Sequence, residues 1–167
     1  MFELDKTERV KELIALTKSD SGVVGPDLAK AHMELGIILG EYLKDTFDKD
    51  TTIVAMMRGG IFFAEGIYFS LGCRFETYDP KHDVFVRPNT KHIILVDSVI
   101  NSGKTIQSIY APDMYIACCV ISEKAVPLLT DSLYTVRVSK NSFVGADVKK
   151  QCGNIGPDTT MRLFNQL

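Results

Sequence analysis

Much of what this 167-residue chain lacks narrows what it does. It has no excess of positive charge: 19 lysines and arginines stand against 21 aspartates and glutamates, a net charge of −2. A duplex-binding surface needs a basic excess to displace counterions, so no nucleic-acid partner is expected. No apolar run approaches the ~20 residues that cross a bilayer, and no membrane partner is expected. The start, Met1-Phe2-Glu3-Leu4-Asp5, has no basic stretch followed by an apolar one, so no signal peptide is expected. Cys73, Cys118, Cys119 and Cys152 show no C-x-x-C spacing, which gives no support to a zinc ribbon or a thioredoxin-like site. Cys118 and Cys119 sit in an apolar run and read as buried thiols; reduced thiols predict the cytoplasm. His32, His82 and His92 have no metal-ligand spacing, so no metal site made by the protein itself is expected. There is no internal repeat and no low-complexity tract.

What is present is ordinary globular composition, 46% apolar and 24% charged. A chain of this length buries roughly 70% of its unfolded surface, which predicts one domain over residues 1–167. Asp5 and Glu8 open a helix to about Lys18 in the manner of a capping box. A second helix begins near Pro26, with Leu28, Ala31, Leu35, Ile38, Leu39 and Tyr42 at helical spacing to about Phe47. Thr52 to Met57 is a continuous apolar run, as in a strand buried on both faces. Arg58-Gly59-Gly60 follows, then a helix from Ile61 to Leu71 and a strand from Arg74 to Tyr78. Residues 79–89 read as an exposed loop. His92 to Val96 is the clearest strand; it ends in a loop beginning at Asp97, with a helix to about Tyr110. Further strands are expected at Met114–Ile121 and Tyr134–Val138, with a helix at Glu123–Leu129 between them. Alternating buried strands and helices predict an α/β fold with a mostly parallel twisted sheet flanked by helices. In such sheets ligands bind beyond the carboxyl ends of the strands.

Two segments there carry chemistry. From Asp97 to Thr105 a strand delivers an acid, then small and hydroxylated residues, then a helix start whose N–H groups attract an anion. Gly103 allows close backbone approach, Ser102 and Thr105 offer hydroxyls, and Lys104 adds charge or points to solvent. The ending Gly103-Lys104-Thr105 matches a Walker A loop, but Ser98 stands where its first glycine belongs. The strand over Met114–Ile121 also lacks a terminal acid for magnesium, so a nucleoside triphosphatase is disfavoured.

Ile93-Ile94-Leu95-Val96-Asp97-Ser98-Val99-Ile100-Asn101-Ser102-Gly103-Lys104-Thr105 resembles the 5-phosphoribosyl diphosphate (PRPP) signature of the type I phosphoribosyltransferases. The resemblance implies a Rossmann-like fold with a small hood and transfer of ribose 5-phosphate from PRPP to a nitrogen base. Asp97 would bind the ribose hydroxyls, and Asn101, Ser102, Gly103, Lys104 and Thr105 the 5′-phosphate. Most members carry two adjacent acids here; Asp97 is followed by Ser98, as in the uracil branch. Arg58-Gly59-Gly60 resembles the family's diphosphate loop, which often holds a strained or cis peptide. Asp97 and Arg58 are thus the expected catalytic residues, with Gly59 and Gly60 receiving diphosphate. The tail, with Phe143-Val144-Gly145, Asp158 and Arg162-Leu163-Phe164, resembles a stretched uracil-branch ending or simply closes the core. By position the base would meet Phe143, Val144 and Gly145, and Asp158 would orient PRPP or its metal. Lys81, His82, Arg87, Lys91 and His92 either reach the diphosphate or are solvated loop charges. Magnesium would arrive bound to PRPP. A homodimer is implied, for which Phe62, Phe63, Tyr68 and Phe69 are candidate interface residues and equally candidate core. The expected function is nucleotide salvage with uracil as acceptor. The alternatives are a purine acceptor, hypoxanthine or xanthine, and a non-catalytic PRPP or nucleotide sensor.

Overall fold

The computed structural model describes residues 1–129, 132–141 and 144–167. Its centre is a parallel sheet of six strands: β1 (Phe2–Glu3), β2 (Thr51–Met56), β3 (Arg74–Tyr78), β4 (His92–Ile100), β5 (Tyr115–Ser122) and β6 (Leu133–Ser139). They lie in the order β1-β6-β5-β4-β2-β3. The helices are α1 (Glu8–Thr17), α2 (Gly25–Leu43), α3 (Ile61–Leu71), α4 (Lys104–Gln107) and α5 (Thr159–Leu163). A second, two-stranded sheet pairs β7 (Val144–Ala146) with β8 (Ile155–Pro157). Together these form the mostly parallel, helix-flanked α/β sheet that the apolar runs predicted.

The period-2 geometry of a strand explains why the central runs are apolar throughout. On β2, Ile53 and Ala55 face a core shared with Leu13, Leu35, Leu39, Phe63 and Ile67 of α1, α2 and α3. Val54 and Met56 face the other way, with Leu95, Ile116, Ile106 and Leu129. Each fully buried Leu or Ile contributes about 1.5–3 kcal/mol.

Several boundaries differ from expectation, each for a local reason. The first helix is capped by Thr7, whose Oγ1 accepts from the Val10 N–H at 3.3 Å, rather than by Asp5. β4 does not stop at Val96; Asp97, Val99 and Ile100 pair with Cys118, Val120 and Ile121 of β5, so the ladder carries it on to Ile100. The expected helix after it shrinks to the single turn α4. The helix expected at Glu123–Leu129 is only a 3₁₀ turn at Val126–Leu128, since Pro127 removes a donor a longer helix needs.

α2 and α3 meet through glycine. A Cβ at Gly66 would lie 2.0 Å from Met33 O, and one at Gly36 would lie 2.2 Å from Phe63 O. Of the four aromatic residues weighed as interface or core, Phe63 is buried and Phe69 is 61% exposed. Phe62 packs with its ring tilted against Phe164, and Tyr68 packs edge-to-face against Phe75.

Candidate active site

A cleft of about 510 Å³ opens over the carboxyl ends of β2, β4, β5 and β6. Both chemistry-bearing segments reach it.

β2 is followed by Met57, whose N–H donates to Tyr78 O at 2.8 Å. The Met57–Arg58 peptide is cis. Gly60 then starts α3, its N–H bonded to Met56 O at 2.9 Å. This turn is pressed against β4: a Cβ at Gly60 would lie 2.6 Å from Val96 O, so only glycine fits. A Cβ at Gly59 would come 3.0 Å from Thr160 Oγ1 and 3.7 Å from Asp97 Oδ1, which places Gly59 between the acid and α5. Ser98, buried, donates its hydroxyl to Gly59 O at 2.6 Å. The residue standing in for a second acid thus ties the two loops together.

Asp97 is half-buried on β4 and lines the cleft. Its Oδ1 accepts the Ser98 N–H at 2.7 Å. Burial pushes its carboxyl up to about 7; the N–H groups of Ser98 and Val99 oppose that shift without cancelling it. Beyond β4, Asn101 and Thr105 line the cleft. Gly103 turns the chain with φ +73°, which a residue with a Cβ resists. Ser102 and Lys104 are exposed, and Ile106 anchors α4 in the core.

The tail closes the opposite rim. Gly145 and Asp158 line the cleft, and a Cβ at Gly145 would lie 2.7 Å from Asp158 Oδ2. Asp158 caps α5, its Oδ1 accepting from Met161 N at 2.9 Å. Val144 is 68% exposed and does not line the cleft; Phe143 lies outside the described residues. The Arg58 guanidinium stands 4.9 Å over the Phe164 ring and donates to Gln166 Oε1 at 3.0 Å, also outside the cleft lining. The loop charges stay away from the cleft: His82 bonds Asp79, Arg87 pairs with Asp113, and His92 packs on Phe47.

Two contributors were not singled out from sequence, and Arg162 was noted there only as part of the tail. The α1–α2 connection supplies Thr17, Lys18, Ser19 and Asp20 to the cleft. Arg162, 2% exposed, holds that connection by donating to Thr17 O, Ser21 Oγ and Val23 O at 3.0–3.3 Å. The β5 and β6 ends supply Ser122, Arg137 and Ser139. The only advance signal was polar residues closing two apolar strand runs. Buried His32 is pushed down to about 3 by desolvation, with Arg162 and Arg137 adding to the effect.

Among the described residues no group of three His, Cys, Asp or Glu side chains gathers to hold a metal. The carboxylates on the cleft wall, Asp20, Asp97 and Asp158, are hard oxygen donors of the kind that suit magnesium.

Comparison with known proteins is informative only in three dimensions. No family model matches the chain, and no curated protein matches it in sequence. The AQ2163 protein from Aquifex aeolicus is similar over 84% of this chain and 90% of its own, with 14% identity and a TM-score of 0.64. A purine phosphoribosyltransferase from Pyrococcus horikoshii is similar over 65% of this chain and 82% of its own, at 21% identity and a TM-score of 0.52. This is a phosphoribosyltransferase-type fold. A hypoxanthine-guanine phosphoribosyltransferase from Bacillus anthracis shares it over 66% of this chain and 78% of its own, at 13% identity and a TM-score of 0.50. The two named transferases are purine enzymes by name, so the uracil expectation gains no support from them. Among the described residues no helix is long and apolar enough to cross a membrane.

Proposed function

We propose that this protein is a nucleobase phosphoribosyltransferase of nucleotide salvage, transferring ribose 5-phosphate from PRPP to a ring nitrogen and releasing diphosphate. The observation that carries the reading is Asp97 near the carboxyl end of a central strand, three residues before it stops, lining one cleft with Gly59 of one strand-end turn and Asn101 and Thr105 of the next. Asp97 accepts the ribose hydroxyls and opposes the positive charge that develops on the ring as the C–O bond breaks. The Gly59 turn before the eleven-residue α3 receives the departing diphosphate, joined by Arg58 once its guanidinium leaves Phe164 and Gln166; the Gly60 N–H stays on Met56 O and Gly60 serves the turn by its lack of a side chain. Asn101, Ser102, Gly103, Lys104 and Thr105 hold the 5′-phosphate. Gly145 borders the base, and Asp158 orients PRPP. Asp97 and Asp158 would hold magnesium brought in on PRPP, which would supply charge neutralisation for the leaving group. Catalysis is positioning and electrostatics, with no side chain needed as a covalent partner. A cytoplasmic homodimer is the expected form.

Uracil is the favoured acceptor on the single acid at Asp97 and on the tail. Hypoxanthine or xanthine is the second reading, which the purine enzymes of like fold favour. Ser98 does not by itself argue for a sensor without catalysis, because its hydroxyl bonds Gly59 O.

The test is diphosphate release from PRPP and magnesium, with uracil, hypoxanthine, guanine, xanthine, adenine and orotate supplied separately. Release with one base, matched by its nucleoside monophosphate, is expected. PRPP binding with no release on any base would replace the transferase with the sensor.

A further inference from the structure

The wall formed by β5 and β6 has no part in the PRPP contacts above, and its chemistry is distinctive. Val120 pairs with Arg137 across this ladder, and Ser122 with Ser139. Arg137, Ser122 and Ser139 line the cleft. Among the described residues the Arg137 guanidinium meets no carboxylate, and its Nε has no hydrogen-bond partner. Ser122 is 3% exposed, and its Oγ also has no partner. Buried polar groups are normally paired, so two orphans on one wall call for a ligand or a small rearrangement that meets one. Arg162, beneath the same cleft, does not fill this role: its donors already hold three groups of the α1–α2 connection.

Strand order says which part of a substrate this wall meets. Asp97 shares a rung with Cys118 and Thr135, and Val99 shares one with Val120 and Arg137. Arg137 therefore lies two strands from Asp97, about 10 Å across the sheet, and two residues nearer the strand ends. The turn assigned to diphosphate follows β2, on the other side of β4. In a displacement at the ribose carbon the incoming base stands opposite the departing diphosphate. The base is thus on the Arg137 side.

We infer that Arg137, with Ser122 and Ser139, reads the exocyclic oxygen edge of the acceptor, and so selects oxo-substituted bases such as uracil, hypoxanthine or xanthine over adenine. This rests on the phosphoribosyl-transfer reading and adds the specificity element to it. A guanidinium is donor-only, so it complements a ring carbonyl or the oxyanion of a deprotonated base. The amino group of adenine would bring donor against donor, and the buried Arg137 Nε would stay unpaired.

Calorimetry tests this without requiring turnover. Ribose 5-phosphate and the 5′-monophosphates of uridine, inosine and adenosine are titrated into the wild type, Arg137→Met, Arg137→Lys and Ser122→Ala. Melting curves accompany each variant. The wild type is expected to bind the uridine or inosine nucleotide at least about tenfold more tightly than the adenosine nucleotide. Arg137→Met should lose that preference while ribose 5-phosphate binds as before, and Arg137→Lys should restore part of it. Ser122→Ala removes only a buried hydroxyl and should weaken the oxo-base nucleotides alone, so the inference stays testable if Arg137→Met does not fold. A preference that survives in Arg137→Met, or a wild type that binds the adenosine nucleotide as tightly, overturns the inference while leaving the transferase intact. A wild type that does not bind ribose 5-phosphate overturns the transferase reading, and this inference with it.

Discussion

A carboxylate within a central strand is poorly solvated, and Asp97 shows the consequence in a carboxyl pushed up to about 7. Its folded pKa lies above its unfolded one, so the stability it contributes is present below about pH 4 and is lost as pH rises through about 7. Asp97→Asn should therefore melt at about the same temperature as the wild type at pH 4 and progressively higher than it towards pH 8. The same ionisation serves the proposed chemistry, since only the carboxylate carries the negative charge that opposes the positive charge developing on the ribose ring. In the wild type kcat/KM for PRPP should climb about tenfold per pH unit below about 7 and level above it. A melting difference independent of pH would contradict the desolvated carboxylate. The signature around Asp97 was legible in sequence because a strand, an acid and a small-residue loop are consecutive. Arg137 and Ser122 were not, because each is an unremarkable strand residue until the ladder sets them side by side.

At the scale of elements, β2, β4 and β5 were legible because burial on both faces leaves a continuous apolar run. Their ends were less so. Asp97 and Ser98 look like a loop, and only pairing with β5 holds that stretch extended. The two-residue β1 and the three-residue β7 and β8 are too short to leave a pattern. The α2–α3 contact was equally hidden, since Gly36, Gly40 and Gly66 carry no helical signal, yet their absent side chains let the helices touch. Gly66→Ala would drive a methyl into Met33 O, a backbone atom that cannot swing aside. We expect a loss of about 3 kcal/mol or failure to fold, read by denaturant titration. Gly72→Ala, at φ +60° with open space around it, should cost only about 1 kcal/mol. Equal costs at the two sites would contradict the close helix contact.

Across the whole molecule, the order β6-β5-β4-β2 does what no single element does. It brings the turn after β2, Asp97 on β4 and the polar ends of β5 and β6 to one cleft, and α5 and the α1–α2 connection close its rim. Alternating strands and helices foretold the parallel sheet, but not Arg162 reaching across to hold residues 17–23. The most direct test of the account is calorimetric titration of magnesium-PRPP into the wild type and Asp97→Asn at pH 8. The account predicts one site per chain in the wild type and binding at least about tenfold weaker in Asp97→Asn, the loss expected when a charged hydrogen-bond acceptor is removed. No binding by the wild type, or equal binding by both proteins, would contradict it.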